Sequence, residues 1–381
     1  MNAPGLAVLL AVAAAHLTGQ TLNLPPRAAD AQGGDAFAAS VSPLGREERE
    51  DRVLREVLAG NVPAFLRQFV PVTTRATIGG RERVARWFVT PDYLAIGSDD
   101  DYFLMPMTPL LAQRIADAAG CLLPTKKMVD EIYRAAPLKL APRPIPPSGA
   151  MVTVPVFKQH NDTLGAQRAA AIGQWPLGTL VGGHKKDVII SNAIVTNLKP
   201  SVPRPVVIYG WHQLNGVPIQ PVYNGHGETY ADYSHGIRMV QRLATLDSVP
   251  VTIDTLLNDP ALWPLFSDEG TIVKPRYGDI PVQVPSKSSG SGQPPGIQLF
   301  QNFPNPFNPS TIIPFALAKR EEVSMTVHDL LGRNVRTLVG GVMDVGEHRV
   351  EFRVDGLATG VYVYRLRTGS ATATRRMLVL R

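Results

Sequence analysis

Hydrophobic and polar positions follow three different rhythms along the chain. Near the N-terminus, Leu6–Ala15 (LAVLLAVAAA) is an unbroken apolar run of ten residues, too short for the ~20 that cross a bilayer as a helix. It has the length of a secretory h-region, and Ala13 and Ala15 offer a small-x-small cleavage site. The preceding MNAPG carries no Lys or Arg, the one departure from a signal peptide. Residues 1–19 are therefore expected to be a signal peptide, and the Pro- and Ala-rich residues 20–45 a flexible spacer.

From residue 46 the rhythm is mixed. Val53, Leu54, Val57 and Leu58 recur at helical spacing until Gly60-Asn61 stops them. Thr73–Val89 alternates on both sides of Gly79-Gly80, which predicts a hairpin. Short strands are expected at Tyr93–Gly97 and Tyr102–Met107, then helices at Pro109–Ala119 and Thr125–Ala136, with Pro109 at a first turn and Thr125 as N-cap. After the proline-rich residues 141–147, His160–Ile172 reads as a helix. Val188–Ser191 and Val206–Gly210 read as strands, and Tyr233–Leu246 as a helix. Residues 46–280 thus form an α+β central domain. Residues 281–296 include PSKSSGSGQPPG, a Ser/Gly/Pro linker by composition.

The third rhythm is strict alternation. Val323, Met325 and Val327 share one strand face, Val350, Phe352 and Val354 another, and Tyr362, Tyr364 and Leu366 a third. Gly332, Gly356 and Gly360 mark the turns between them. Six or seven short strands within residues 297–381 is the pattern of a small all-β sandwich.

Composition narrows the classes. Of 381 residues, 44% are apolar and 18% charged, which excludes wholesale disorder. The 33 Gly and 34 Pro argue for many turns and against an all-helical bundle. The net charge of +6 is scattered, with no basic block to follow a phosphate backbone, so no nucleic-acid partner is expected. No other apolar run spans a bilayer, so no transmembrane segment is expected in the mature chain. Cys121 is the only cysteine, which excludes an intrachain disulfide.

The terminal segment also carries motifs. QNFPNPFNPSTIIPFAL (Gln301–Leu317), DLLGRNVRTL (Asp329–Leu338), GEHRVEF (Gly346–Phe352), LATGVYVYRL (Leu357–Leu366) and the closing RRMLVLR stand in order at the chain end. Together they resemble the C-terminal sorting domain of type IX secretion cargo, with Phe303 in place of the usual Tyr and Pro314 inside the first strand. The resemblance implies an Ig-like sandwich over residues 297–381, recognised by the outer-membrane translocon. It also implies removal by a sortase-like peptidase, leaving the protein secreted or at the cell surface. Pro304, Pro306 and Pro309 suit a rigid, extended recognition segment outside the sheet.

For chemistry, the histidines stand out: five of the eight lie between residues 160 and 235. His184 precedes Asp187 by three residues after Gly182-Gly183. Asp232 precedes His235 by the same interval, and His212 ends an apolar strand. His184, Asp187, His212, Asp232 and His235 are the candidate catalytic residues of a hydrolase of peptide, cell-wall or polysaccharide material. His184, Asp187 and His235 are its candidate ligands for Zn²⁺, although the spacing is not HExxH. A Cys121 nucleophile with a His base is the less favoured enzyme, and a Ser234–His235 pair is weaker still. The rival to an enzyme is a non-catalytic surface binding or adhesion domain in which the same histidines serve turns, caps and core. Asp99-Asp100-Asp101 suits either Ca²⁺ or a plain acidic turn. Lys185-Lys186 suits an anionic substrate or a solvated pair. Tyr209, Trp211, Tyr223, Tyr230 and Tyr233 suit ring stacking or core packing.

Overall fold

A computed structural model describes residues 21–278 except 273, and residues 297–379 except 301, 303–306, 308, 330, 331, 355, 359 and 370. Two compact units divide at Gly278. The expected signal peptide and the 281–296 linker lie outside the described residues.

In the first unit the expected hairpin forms. Val70–Ile78 pairs antiparallel with Arg81–Val89, Ile78 opposite Arg81. The two-residue turn is Gly79-Gly80, both at positive φ (58° and 76°), which favours glycine and matches strand twist. Arg81–Val89 then anchors a six-stranded sheet that includes Leu243–Leu246, Val249–Thr252, Val240–Gln241 and Cys121–Leu122. Helices Pro109–Ala118 and Lys126–Ala135 start as expected: Thr108 Oγ1 accepts from the Leu111 N–H, and Thr125 Oγ1 from the Met128 N–H at 3.2 Å. A third helix, Val154–Ala171, begins six residues before the expected start.

A second sheet of four strands runs in the order Pro218–Gly227, Pro205–His212, Lys186–Val188, His235–Gly236. All eight residues of Pro205–His212 are buried, so it is an interior strand and reads as a continuous apolar run rather than an alternation. His235–Gly236 lies parallel to Lys186–Val188, placing His235 beside Lys186.

Two sequence expectations are corrected here. Residues 21–41 are not a spacer: Leu22 is buried, and Phe37, Ala38 and Val41 of helix Gly34–Val41 join the core. The Gly34 N–H donates to the Asp101 carbonyl and the Asp35 N–H to Asp101 Oδ1, both at 2.9 Å. The Phe65 N–H donates to Asp99 Oδ1 at 3.2 Å. Asp99 and Asp101 of the acidic turn thus satisfy backbone donors. Tyr233–Leu246 is not a helix but three short strands. Ser234, Arg238, Gln241 and Thr245 recur at helical spacing, but every residue from 231 to 246 is buried, so these polar positions face the interior and do not mark a solvent side.

The second unit is all-β. Ile297–Leu299, Ser310–Leu317 and Gly346–Arg353 form one antiparallel sheet. Asn334–Met343, Glu321–His328, Gly360–Thr368 and Thr372–Val379 form the other. Ile313, Phe315 and Phe352 of the first share one core with Val323, Met325, Val327, Tyr364 and Leu366 of the second. Buried Tyr364 crosses the core to donate its hydroxyl to the Phe300 carbonyl (2.7 Å) and accept from the Asn302 N–H (2.8 Å). Among the described residues no helix is long and apolar enough to cross a membrane.

Candidate functional site

The four-stranded sheet of the first unit carries or adjoins all five sequence-nominated residues, and the structure sorts them into three polar groups. The first is the most enclosed. His184, with no exposed surface, sets its Nε2 3.0 Å from Asp92 Oδ1. The Tyr93 N–H also reaches Asp92 Oδ1, at 2.7 Å. The Tyr93 ring meets the imidazole edge-on at 4.9 Å, and its hydroxyl donates to Asp187 Oδ2 at 2.8 Å. Arg238 lies across the Tyr93 ring, 4.2 Å from its centre. It donates to the carbonyls of Thr90, Pro91 and Val181, with Nε 3.9 Å from Asp187 Oδ1. Burial pushes Asp187 up to about 6, against the pull of Arg238 and the Tyr93 hydroxyl.

His184 Nδ1 is buried and has no hydrogen-bond partner among the described residues. The same imidazole and Asp92 line a small pocket with Tyr102, Asn161, Leu164 and Arg168. Arg168 is fixed there by donating to the carbonyls of Trp175 (2.6 Å) and Pro176 (2.7 Å).

The second group centres on His212. Gly210 (φ 106°) and Trp211 (φ 58°) leave the extended region just before it. A left-handed tryptophan is a strained choice. It breaks the alternation, so Tyr209 and His212 both reach Asp130 Oδ1, at 2.8 and 3.1 Å. Meanwhile the Trp211 indole N–H donates to the His184 carbonyl at 3.1 Å. The Tyr133 ring stacks on His212 at 4.6 Å, and Lys126 pairs with Asp130 at 3.3 Å. Burial resists ionisation of Asp130, but His212, Tyr209 and Lys126 hold it below the usual carboxylate range.

The third group surrounds His235. Asp232 Oδ1 accepts from the Ser234 N–H (2.8 Å) and hydroxyl (2.5 Å), and Oδ2 from the Tyr230 hydroxyl (3.2 Å). Burial opposes the Asp232 charge, yet His235, Lys186 and Ser234 bring it down to about 2. His235 has no exposed surface, and neither ring nitrogen finds a partner among the described residues. Burial pulls it down to about 4, so it is neutral at pH 7. Lys185 donates to the Tyr233 carbonyl at 2.8 Å, and burial lowers it to about 7 against Asp232 and Asp92.

His184, Asp187 and His235, the expected zinc ligands, therefore face different partners. Among the described residues no three His, Cys, Asp or Glu side chains gather as a metal site. Cys121 is buried beside the Ala119 carbonyl and pushed up to about 12 by desolvation, the opposite of an activated thiolate. The Ser234 hydroxyl donates to Asp232 rather than His235. Sequence reasoning missed Asp92, Tyr93, Asp130 and Arg238. For Asp92 a signal existed in its place just after a strand and beside Pro91. Arg238, in an apolar run with no free surface, was a charge whose burial demanded partners.

Comparison with known families places one part of the chain. Residues 301–380 match the secretion system C-terminal sorting domain. The terminal sandwich is a type IX sorting domain. The sorting domain carries the chain across the outer membrane to the cell surface or beyond, through contact with the secretion machinery. The match leaves residues 21–278 unassigned, and compared with curated proteins the chain matches none.

Proposed function

We propose that the protein is an exported hydrolase whose general base is His184, held by Asp92. Residues 1–19 act as its signal peptide, and residues 281–296 tether an Ig-like sorting sandwich that a sortase-like peptidase then removes. The observation that carries the enzymatic reading is the state of one imidazole. Its Nε2 is committed to Asp92, Nδ1 has no partner among the described residues, and His184 lines a pocket together with Asn161 and Arg168. A carboxylate that accepts the Nε2 proton leaves the Nδ1 lone pair free to take a proton from water. The water oxygen then bonds to the carbon under attack, and the proton passes from Nδ1 to the leaving group. Fixed Arg168 supplies positive charge where negative charge develops. The substrates that suit this address are peptide, cell-wall or polysaccharide polymers.

The test is turnover of peptidoglycan, casein and a glycan panel by the full chain, read as new amines or reducing ends. His184→Ala and His184→Gln are expected to lower turnover by about a hundredfold or more, with unchanged melting of at least one variant. Unchanged turnover in both removes His184 from the mechanism. A second reading, a binding or adhesion domain, is favoured by Leu214, Val217, Ile219 and Val222, exposed together on the Pro205–His212/Pro218–Gly227 hairpin. Absence of turnover across the panel would support it.

A further inference from the structure

The donors around His235 outnumber the acceptors available to them. Lys186 is half-buried, and its Nζ, 5.0 Å from the Trp211 ring centre, makes no hydrogen bond or ion pair among the described residues. His226, also half-buried, stacks on Tyr230 at 4.0 Å, and Tyr230 meets His235 edge-on at 5.7 Å. His235, neutral at pH 7, has two enclosed ring nitrogens without partners, one a donor and one an acceptor. The one carboxylate at hand, Asp232, already has both oxygens engaged by Ser234 and Tyr230. The charge of Lys185 is turned to the Tyr233 carbonyl. A buried polar group left without a partner destabilises the fold, so a group that supplies acceptors here relieves that penalty.

The rim has its own character. Tyr223 is exposed, meets His226 edge-on at 5.5 Å, and carries Lys199 Nζ 5.2 Å from its ring centre. Two register shifts in Pro218–Gly227, flanking Tyr223, break the regular ladder at this point. An aromatic face beside two lysines is a surface for a ring that carries negative charge.

We propose that Lys186 and His226 form a binding site for the oxyanion of an acidic sugar, carboxylate or sulfate, with Tyr223 as its stacking platform. None of these residues lines the His184 pocket, so the site stands whether or not His184 is a base. The oxyanion lies between the ammonium of Lys186 and the His226 ring, and its oxygens supply the acceptor that the Lys186 ammonium lacks. The sugar ring rests on Tyr223, with Lys199 at the edge.

Titration calorimetry of the full chain at 150 mM salt (about physiological ionic strength) tests this. The probes are oligogalacturonate, a sulfated oligosaccharide and a neutral oligosaccharide of equal length. At least one charged probe is expected to bind and the neutral one not to, and the stronger of the two charged probes identifies the oxyanion. Lys186→Ala is expected to weaken binding about tenfold, the loss of one charge-assisted contact, and Tyr223→Ala by a smaller factor. Lys319→Ala, in the other unit, should leave binding unchanged. The proposal is overturned if neither charged probe binds, if the neutral probe binds equally well, or if Lys186→Ala and Lys319→Ala behave alike.

Discussion

The two units bury polar residues in different ways. The sorting sandwich keeps few inside: Asn302, Thr311 and Thr368 are its buried polar side chains among the described residues, and its core is Phe, Tyr, Met, Val, Leu and Ile. The central unit buries Asp92, His160, His184, Lys185, Asp187, Asp232, His235 and Arg238, each with under a twentieth of its surface exposed. A core of the first kind is specified by alternation and volume. A core of the second kind depends on each charge finding its partner, and removing one partner leaves the other stranded. Buried charge retained at such risk is the ordinary setting of a functional site.

Three substitutions sharpen that contrast, in falling order of effect. Phe315→Ala removes a fully buried ring from the sandwich and should cost about 3–5 kcal/mol. Differential scanning calorimetry should show the transition of the sandwich lowered and that of residues 21–278 unmoved. A shift in both transitions would mean that the units are not energetically separate. Gly183→Ala acts on the central unit alone. At φ 100° an added Cβ would lie 2.9 Å from the Leu140 carbonyl oxygen and 3.0 Å from that of His212. The expected cost is about 1–3 kcal/mol, with turnover falling because His184 is the next residue. An unchanged melting temperature would show that this backbone is not held as described.

The smallest effect is a slope. Lys185 is lowered to about 7 in the fold, whereas an unfolded lysine titrates near 10.4. Between those values the unfolded chain binds the extra proton, so Lys185 makes stability rise with pH. The limit is about 1.4 kcal/mol per pH unit. Denaturant unfolding at pH 7 and 9.5 should show that rise in the intact protein and a flatter profile in Lys185→Met. Parallel profiles would mean that the Lys185 ammonium is not desolvated.

Legibility in the sequence follows the same division. In the sandwich, Val323, Met325 and Val327 alternate with outward residues, so strand, face and turn are all local. In the central unit the hairpin at Gly79-Gly80, the helix start at Pro109 and the cap Thr125 are equally local and were readable. His184 and Asp92 lie 92 residues apart, and His212 and Asp130 82 apart. No spacing rule links such pairs, so the sequence could nominate the histidines but not their carboxylates. It joined His184, Asp187 and His235 into one candidate metal site because histidines concentrate between residues 160 and 235. The parallel pairing of Lys186–Val188 with His235–Gly236 instead leaves each with its own neighbours. The helix expected at Tyr233–Leu246 failed for a related reason: Ser234, Arg238, Gln241 and Thr245 recur at helical spacing, but in a segment buried on all sides that periodicity reflects interior partners and not a solvent face.

The central claim is that address and chemistry reside in separate units, with residues 297–381 supplying the step across the outer membrane. The most direct measurement compares a chain ending at residue 296 with the intact chain in cells that have the type IX machinery. It scores the fraction reaching the medium or surface, with limited proteolysis confirming that residues 21–278 remain folded. The account predicts that the shortened chain falls to background outside the outer membrane while its central unit stays folded. Equal amounts of the two chains outside would contradict it.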